Sequence, residues 1–237
     1  MKSNNALIES TYTALHDYLT KNSENAEAYK QFEKEYHPGF MACKVLPFNE
    51  ARLFDCMMEL RDSIAQEAAK TSGRGDLRKA MLYVLKNADG RYKALQKAYY
   101  DDRDGSTVVC DSIQLIKAPG HIDGVPYNGK DDPDYIDYRR ILPRPDVSID
   151  LPTLGELKAW IKLNKSVKHY TLHAADGSGF CVNLDPKYLK NLLEAVGEGA
   201  TCKATREKPF APVVIESNDK SVYSLVVPVR VFKNEEC

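Results

Sequence analysis

Two stretches of this 237-residue chain repeat one order of elements, a helix followed by three strands. In the first, residues 76–116, apolar residues recur at helical spacing across Met81–Leu85, and strands are expected at 95–100, 107–110 and 113–116. In the second, residues 183–232, Asp185-Pro186 begins a helix that Gly197 ends, and three further strand patterns complete the unit. A repeated helix-plus-strands unit predicts an α+β fold with antiparallel sheets.

The region before the first unit is predicted to be helical. Leu7 to Leu19 carries apolar residues three and four apart, and a second helix is expected to stop at His37-Pro38-Gly39. A third amphipathic helix follows Pro47. The break at residues 72–75 separates a helical N-terminal region, 1–73, from an α+β domain, 76–237.

The segment between the two units has weaker signals. Residues 117–134 contain three turns with glycine, which predicts a loop, either a mobile functional loop or, as we favour, an insertion. Thr153 and Glu156 have the spacing of a capping box and predict a helix start. Strands are expected at 169–173 and 179–183.

Charge and composition narrow the function classes. The 33 basic and 34 acidic residues give a net charge of -1, so any DNA contact must come from a local basic face or from topology. No signal peptide or membrane-length apolar run is visible, which predicts a soluble, cytoplasmic protein. The six cysteines have no metal-binding or redox spacing and are expected to be reduced and mostly buried.

Catalytic patterns are weak throughout the chain. There is no phosphate-binding loop of the Walker type and no dinucleotide fingerprint. The acidic pairs Asp101-Asp102 and Asp131-Asp132 lie in turn sequence, where carboxylates bond to nearby backbone, and we favour this interpretation over the alternative of an enzyme with a divergent metal site, as in a two-metal nuclease. His169 and His173 lie too far apart on a predicted strand to bind one zinc ion. We therefore expect a protein without catalytic residues, metal or cofactor.

Three motifs, in one order, point to a family. They are Asp134 to Pro143 with its Asp-Tyr-Arg-Arg core, Phe180 to Leu193, and the closing strands Pro212 to Val231. Together they resemble the sliding clamp, the β subunit of bacterial DNA polymerase III, over about residues 76–234. A clamp subunit has three such domains, and this chain has room for one. The helical region 1–73 has no counterpart in that family.

The resemblance implies two sites. Clamps hold partner peptides in a hydrophobic groove near the C-terminus, and Val227, Pro228, Val229 and Arg230 fall on the matching positions. Clamp helices turn basic residues toward DNA. The corresponding candidates here are Arg78, Lys79, Lys86, Lys158, Lys162, Lys187 and Lys190.

The implied function is a non-enzymatic, DNA-replication-associated platform that tethers to DNA or binds proteins. One domain per chain would require several copies, paired through sheet edges, to form a ring. The alternative is a phage or mobile-element adaptor or inhibitor that binds a host or defence DNA-handling protein, such as a nuclease, in part through residues 1–73. A protein partner is expected in both cases, with DNA and homo-oligomerisation possible and no membrane contact.

Overall fold

A computed structural model describes residues 2–36, 48–129, 135 and 137–230. The helices are α1 Lys2–Asp17, α2 Ala26–Glu35, α3 Phe48–Thr71, α4 Gly75–Asn87, α5 Leu154–Leu163 and α6 Pro186–Val196, with a π-helix at Tyr18–Asn22 and 3-10 turns at Lys93–Leu95 and Tyr138–Ile141. The strands are β1 Tyr99–Asp101, β2 Ser106–Cys110, β3 Gln114–Pro119, β4 Val147–Ile149, β5 Tyr170–His173, β6 Cys181–Leu184, β7 Thr201–Ala204, β8 Val213–Glu216 and β9 Tyr223–Val226.

The two predicted units are confirmed and share one sheet. Each consists of a helix and three strands, α4 with β1 to β3 and α6 with β7 to β9. All pairs in the seven-stranded sheet are antiparallel, in the order β1-β2-β3-β9-β8-β7-β4, so the units meet where β3 pairs with β9. The predicted α+β class is therefore confirmed.

The two helices of these units pack against each other and against the sheet. Met81 and Val84 of α4 and Leu189 and Leu192 of α6 are fully buried in one cluster with the strand residues, such as Ile116. Burial of each such side chain stabilises the fold by about 2 kcal/mol. The sheet therefore holds α4 and α6 side by side.

A buried polar contact fixes where the two units meet. Asn191 of α6 donates to the backbone oxygen of Ala80 in α4 (3.3 Å) and to Oε1 of Gln114 in β3 (3.1 Å). Gln114 in turn donates to Asp111 (2.9 Å). Because all three polar side chains are buried, these bonds determine the relative position of α6, α4 and β3.

A separate hairpin, β5–β6, covers the outer edge of β4. Asp150 donates its N–H to His173 (2.9 Å), and Ala175 donates to Ser148 (3.0 Å). Ile149 thereby pairs with Ala174 as in an antiparallel sheet. The hairpin continues the sheet beyond β4.

The other side of the hairpin also has a backbone partner. Val229, in the extended segment after β9, donates its N–H to the carbonyl of Asn183 in β6 (2.7 Å). The same segment bonds to the start of β3, because Val227 donates to Ile113 (2.9 Å). The end of the described chain thus lies between the two sheets and is hydrogen-bonded to both.

The Asp-Tyr-Arg-Arg motif, residues 137–140, attaches the segment before β4 to the hairpin of β1 and β2. Asp101 is fully buried, accepts hydrogen bonds from Nε of Arg103 (2.8 Å) and from the Tyr138 hydroxyl (3.0 Å), and forms an ion pair with Arg139 (2.9 Å). Arg103 lowers the pKa of Asp101 to about 2, against the effect of burial, and Tyr138 adds to the lowering. These four residues form the Asp101 network, in which three neighbouring side chains bind the carboxylate of Asp101.

The helical N-terminal residues have their own apolar cluster. Leu19, Tyr29, Phe54, Met57 and Met58 are buried together, whereas Leu7, at the start of the predicted apolar face of the first helix, is exposed. The predicted stop at residues 37–39 lies outside the described residues. Helix α3 ends at Thr71 and α4 begins at Gly75, while the division of the chain into two domains at this point stays a prediction.

Arg78, Lys97 and Gly124 are among the described residues that attach these helices to the α+β part. Arg78 of α4 is buried, donates to the carbonyl of Asp123 (3.0 Å) and pairs with Asp62 of α3 (3.7 Å). Lys97 donates to the carbonyl of Lys34 at the end of α2 (2.8 Å). Gly124 lies against α3 with a φ of +69°. The turn at 123–124 is therefore packed between α3 and α4.

Several local predictions are wrong in extent. The strand predicted for residues 95–100 begins only at Tyr99, because a 3-10 turn occupies Lys93–Leu95. The last strand ends at Val226, and 227–230 is extended without a ladder. Residues 117–119 belong to β3, and the described part of the loop, 120–129, is packed on its neighbours. Strand β4, only three residues long, was not predicted.

The described cysteines differ in burial and in whether they form a disulfide bond. Cys110 and Cys202 are buried free thiols, as expected, and burial raises their pKa values to about 11 and about 12. Cys56 is free but exposed. Cys181 is disulfide-bonded, so the expectation of reduced cysteines is wrong at this position.

Gly124→Ala is expected to destabilise the protein. An added Cβ would overlap the Cβ of Ala65 and lie 2.8 Å from Nε of Arg78, in a backbone conformation that side chains rarely adopt. We expect a loss of about 3 kcal/mol in the free energy of unfolding by urea. The matched control is Gly177→Ala, at a φ of +67° with nothing within 4 Å, which should cost about 1 kcal/mol. Equal losses would contradict the packing of this turn.

Asp101→Asn is expected to lower the free energy of unfolding by about 2 kcal/mol near neutral pH, because it leaves two arginines without their buried acceptor. The folded pKa of Asp101 is about 2, below the unfolded value of about 3.9. The stabilisation is thus fully present above about pH 4 and declines as the pH falls toward 2. Urea titrations at several pH values test this, with exposed Asp102→Asn as control. A pH-independent difference would contradict it.

Candidate nucleic-acid interface

The carboxylate of Glu194 lies within 4.0 Å of lysines from three helices. Glu194, in the last turns of α6, has a side chain only 10% exposed. Lys158 of α5 lies 3.1 Å from it, Lys190 of α6 lies 3.6 Å from it, and Lys79 of α4 lies 4.0 Å from it. The contact between α4 and α6 described above, together with α5 beside α6, brings these ammonium groups to one place.

Glu194 stays ionised in this setting. Burial acts to raise its pKa, but the hydrogen bond from Lys158 and the charges of Lys190 and Lys79 outweigh it and lower the pKa. Three positive charges thus surround one negative charge, which leaves a local excess of two. A partly buried carboxylate can hold lysine side chains in place, whereas exposed surface pairs contribute little.

Helical spacing extends this cluster into a basic surface. Lys86 lies two turns beyond Lys79 on α4, and Lys162 lies one turn beyond Lys158 on α5. On α6, Lys187 precedes Lys190 by three residues. We call the six exposed or half-exposed residues Lys79, Lys86, Lys158, Lys162, Lys187 and Lys190 the lysine face.

Arg78 does not belong to this surface, so its assignment as a DNA-facing residue is wrong. Its side chain is 8% exposed and faces α3 and the turn at Asp123. Burial lowers the pKa of its guanidinium, and Asp62 offsets this in part. Arg78 instead holds the N-terminal helices against α4.

The peptide-groove candidates lie along the extended segment after β9. Pro228 is buried, so its ring packs inside the fold. The N–H of Val229 donates to the carbonyl of Asn183, so this backbone group already has a partner. Val227 is 40% exposed, and the guanidinium of Arg230 lies 5.3 Å from the ring of exposed Phe210. None of the four lines the clefts described below. Their role in peptide binding stays a prediction.

A cleft that the sequence did not predict lies between α3 and the loop 123–127. It measures about 550 Å³, and a second cleft of about 230 Å³ adjoins it across Tyr36, Arg61, Gly124 and Pro126. Arg61 lies over the ring of Tyr36 (4.9 Å) and near Glu33 (3.9 Å). The Asp123-Gly124 signal predicted a turn, but nothing local indicated that this turn would pack on α3.

Within the part of the chain that the structure describes, no three His, Cys, Asp or Glu residues converge in a way that could hold a metal ion. His173 is the last residue of β5 and His169 directly precedes the strand, so the two imidazoles are separated along its length. The pair Asp131-Asp132 lies outside the described residues. A search of the described helices finds none with the length and apolar character to cross a bilayer.

Comparison with known proteins gives similar solved structures but no related sequence family. No protein-family model matches the chain, and no curated protein does. The solved structures it is similar to include bacterial DNA polymerase III β subunits. The chain is similar to sliding clamps. This is the family that the motifs of residues 76–234 resemble.

Three of these clamps illustrate the extent of the likeness. The Caulobacter crescentus pol III beta is 15% identical with a TM-score of 0.49, and the alignment covers 66% of this chain and 64% of the clamp. The Helicobacter pylori clamp is 15% identical with a TM-score of 0.47, and the alignment covers 66% of this chain and 63% of the clamp. The Thermotoga maritima subunit is 14% identical with a TM-score of 0.46, and the alignment covers 65% of this chain and 64% of that subunit. The chain thus spans less than two thirds of these subunits, and the likeness concerns the fold alone.

Glu194→Gln is expected to lower the free energy of unfolding by about 1 kcal/mol, since it leaves three neighbouring lysines without a common counter-charge. The pKa of Glu194 is lowered in the fold, so the stabilisation by its carboxylate is present at neutral pH and is lost as the pH falls through the lowered pKa. Chemical denaturation at neutral and acidic pH measures this. The control is Glu198→Gln, just beyond the end of α6 and exposed. An unchanged stability would show that Glu194 does not organise the lysines.

Proposed function

We propose that this protein is a non-enzymatic, clamp-related platform that contacts the phosphate backbone of duplex DNA through the lysine face. The observation that supports this is the convergence of Lys79, Lys158 and Lys190, from three helices, on the partly buried Glu194. Their ammonium groups lie together on packed helices and carry a local excess of positive charge. Such a surface fits a polyanion that is read by charge and shape rather than by sequence.

The charge balance of the chain predicts the character of this binding. The net charge is -1, so long-range attraction to DNA is weak and contact depends on the local excess at the lysine face. Binding should then be independent of sequence and strongly dependent on salt. Each lysine that neutralises a phosphate contributes about 0.9 to the slope of log affinity against log salt.

The test is a triple variant, Lys86→Gln, Lys162→Gln and Lys187→Gln, which spares the three lysines that hold Glu194. We expect duplex affinity to fall and the salt slope to decrease by about 0.9 for each lysine that contacts phosphate. Fluorescence anisotropy with a labelled duplex of arbitrary sequence, at several salt concentrations, measures both quantities.

The matched control removes three exposed lysines that lie off these helices, with Lys21→Gln, Lys203→Gln and Lys208→Gln. It changes the net charge by the same amount. An equal loss in the two variants would mean that only the overall charge matters and would exclude a defined lysine face. No measurable binding by the unaltered protein would exclude the DNA-contacting function itself.

A second candidate is an adaptor or inhibitor that binds a DNA-handling protein, such as a nuclease encoded by a host. The observation that favours it is the firm attachment of the N-terminal helices by Arg78, Lys97 and Gly124, which presents them as a fixed surface. Affinity capture from the native host separates the candidates. Enrichment of one DNA-handling protein by the wild type and by the lysine variant alike would support the adaptor.

A further inference from the structure

At the β4 end of the sheet, both β4 and the hairpin strand β6 have backbone partners within the chain. Beyond β4, the end of β5 supplies a partner strand through the Asp150–His173 and Ala175–Ser148 bonds. Beyond β6, Val229 bonds to the carbonyl of Asn183. Backbone groups that already have a partner are not available to a strand of another molecule.

The edge of the first unit, β1, has few backbone groups that a strand of another molecule could pair with. It has three residues, and Asp101 at its end is fully buried. Ala98, just before it, already bonds to the loop, since it donates to Pro126 (2.7 Å) and accepts from Asn128 (2.9 Å). Short and partly covered edges are how proteins prevent sheets from joining.

The covering hairpin is attached by more than its edge bonds. Leu172, Val182 and Leu184 place its inner face in the main apolar cluster. Outside that cluster, Arg206 pairs with Asp176 in the hairpin turn, and its N–H bonds to Asp146 just before β4 (2.9 Å). The hairpin therefore belongs to the folded unit and is additionally held by Arg206 at its turn.

Ring formation through sheets places specific demands on these edges. A head-to-tail ring of identical chains needs two complementary edges on each copy, one at either end of the sheet. Among the described strands, β4 and β6 are covered and β1 is short. We infer that this chain is a self-contained unit which does not close a ring by sheet pairing, because its own hairpin and C-terminal segment occupy the edge that a second copy would use.

This inference is independent of whether the lysine face binds DNA. If both hold, the protein lies against the side of a duplex and does not encircle it, so its release should not depend on free DNA ends. The two ideas can fail separately, because assembly is measured without nucleic acid.

The experiment combines light scattering with hydrogen exchange on the full-length protein. We expect the mass of a single chain at dilute and at high protein concentration. At that mass, the amides of Asp150, Ala175 and Val229 should exchange slowly, since each donates to a carbonyl of the same chain. A closed assembly of several copies would overturn the inference. So would exchange at these three amides as fast as in an unstructured peptide.

A paired variant tests the attachment of the hairpin. Arg206→Ala should speed exchange at Asp150 and Ala175 several-fold, while Val229 stays protected. The control, Arg91→Ala, removes an exposed arginine that pairs with Asp89 elsewhere on the surface and should leave all three amides unchanged. If Arg206→Ala behaves like the control, Arg206 does not hold the hairpin. If Arg206→Ala also assembles into dimers or larger species, the hairpin is shown to cover a sheet edge that can pair.

Discussion

The contact between α4 and α6, seated on a sheet that runs continuously from β3 to β9, is the interaction on which the other features depend. Apolar burial provides most of its stability, and the bonds from Asn191 to Ala80 and Gln114 fix its geometry. Because the helices are held side by side, lysines on separate helices can reach Glu194. Because the sheet is continuous, β4 becomes the edge that the hairpin must cover.

The features that the sequence predicted well depend on neighbours within a few residues. Thr153 and Glu156 form the predicted capping box, Asp185 caps α6 and Gly197 ends it. These signals act through local backbone bonds, so a pattern is enough to find them. The two helix-plus-strands units followed from the same kind of signal.

The errors arise where distant residues decide the outcome. The helical position of Arg78 says nothing of Asp62 on α3 or of the carbonyl of Asp123, so it was predicted to face DNA. Strand β4 is too short to show alternation and exists because β7 and the hairpin pair with it. Lysine spacing on each helix was visible, but the carboxylate that gathers three of them depends on helix packing.

The buried Arg78 has a consequence for how the two parts of the chain communicate. Its guanidinium is held by Asp62 of α3 and by the carbonyl of Asp123, so separating the N-terminal helices from α4 would break the contacts with Asp62 and expose the side chain to water. Local unfolding of one part is therefore energetically linked to the other. A molecule that binds only the N-terminal helices would, by thermodynamic reciprocity, stabilise the sheet and its lysine-bearing helices against opening.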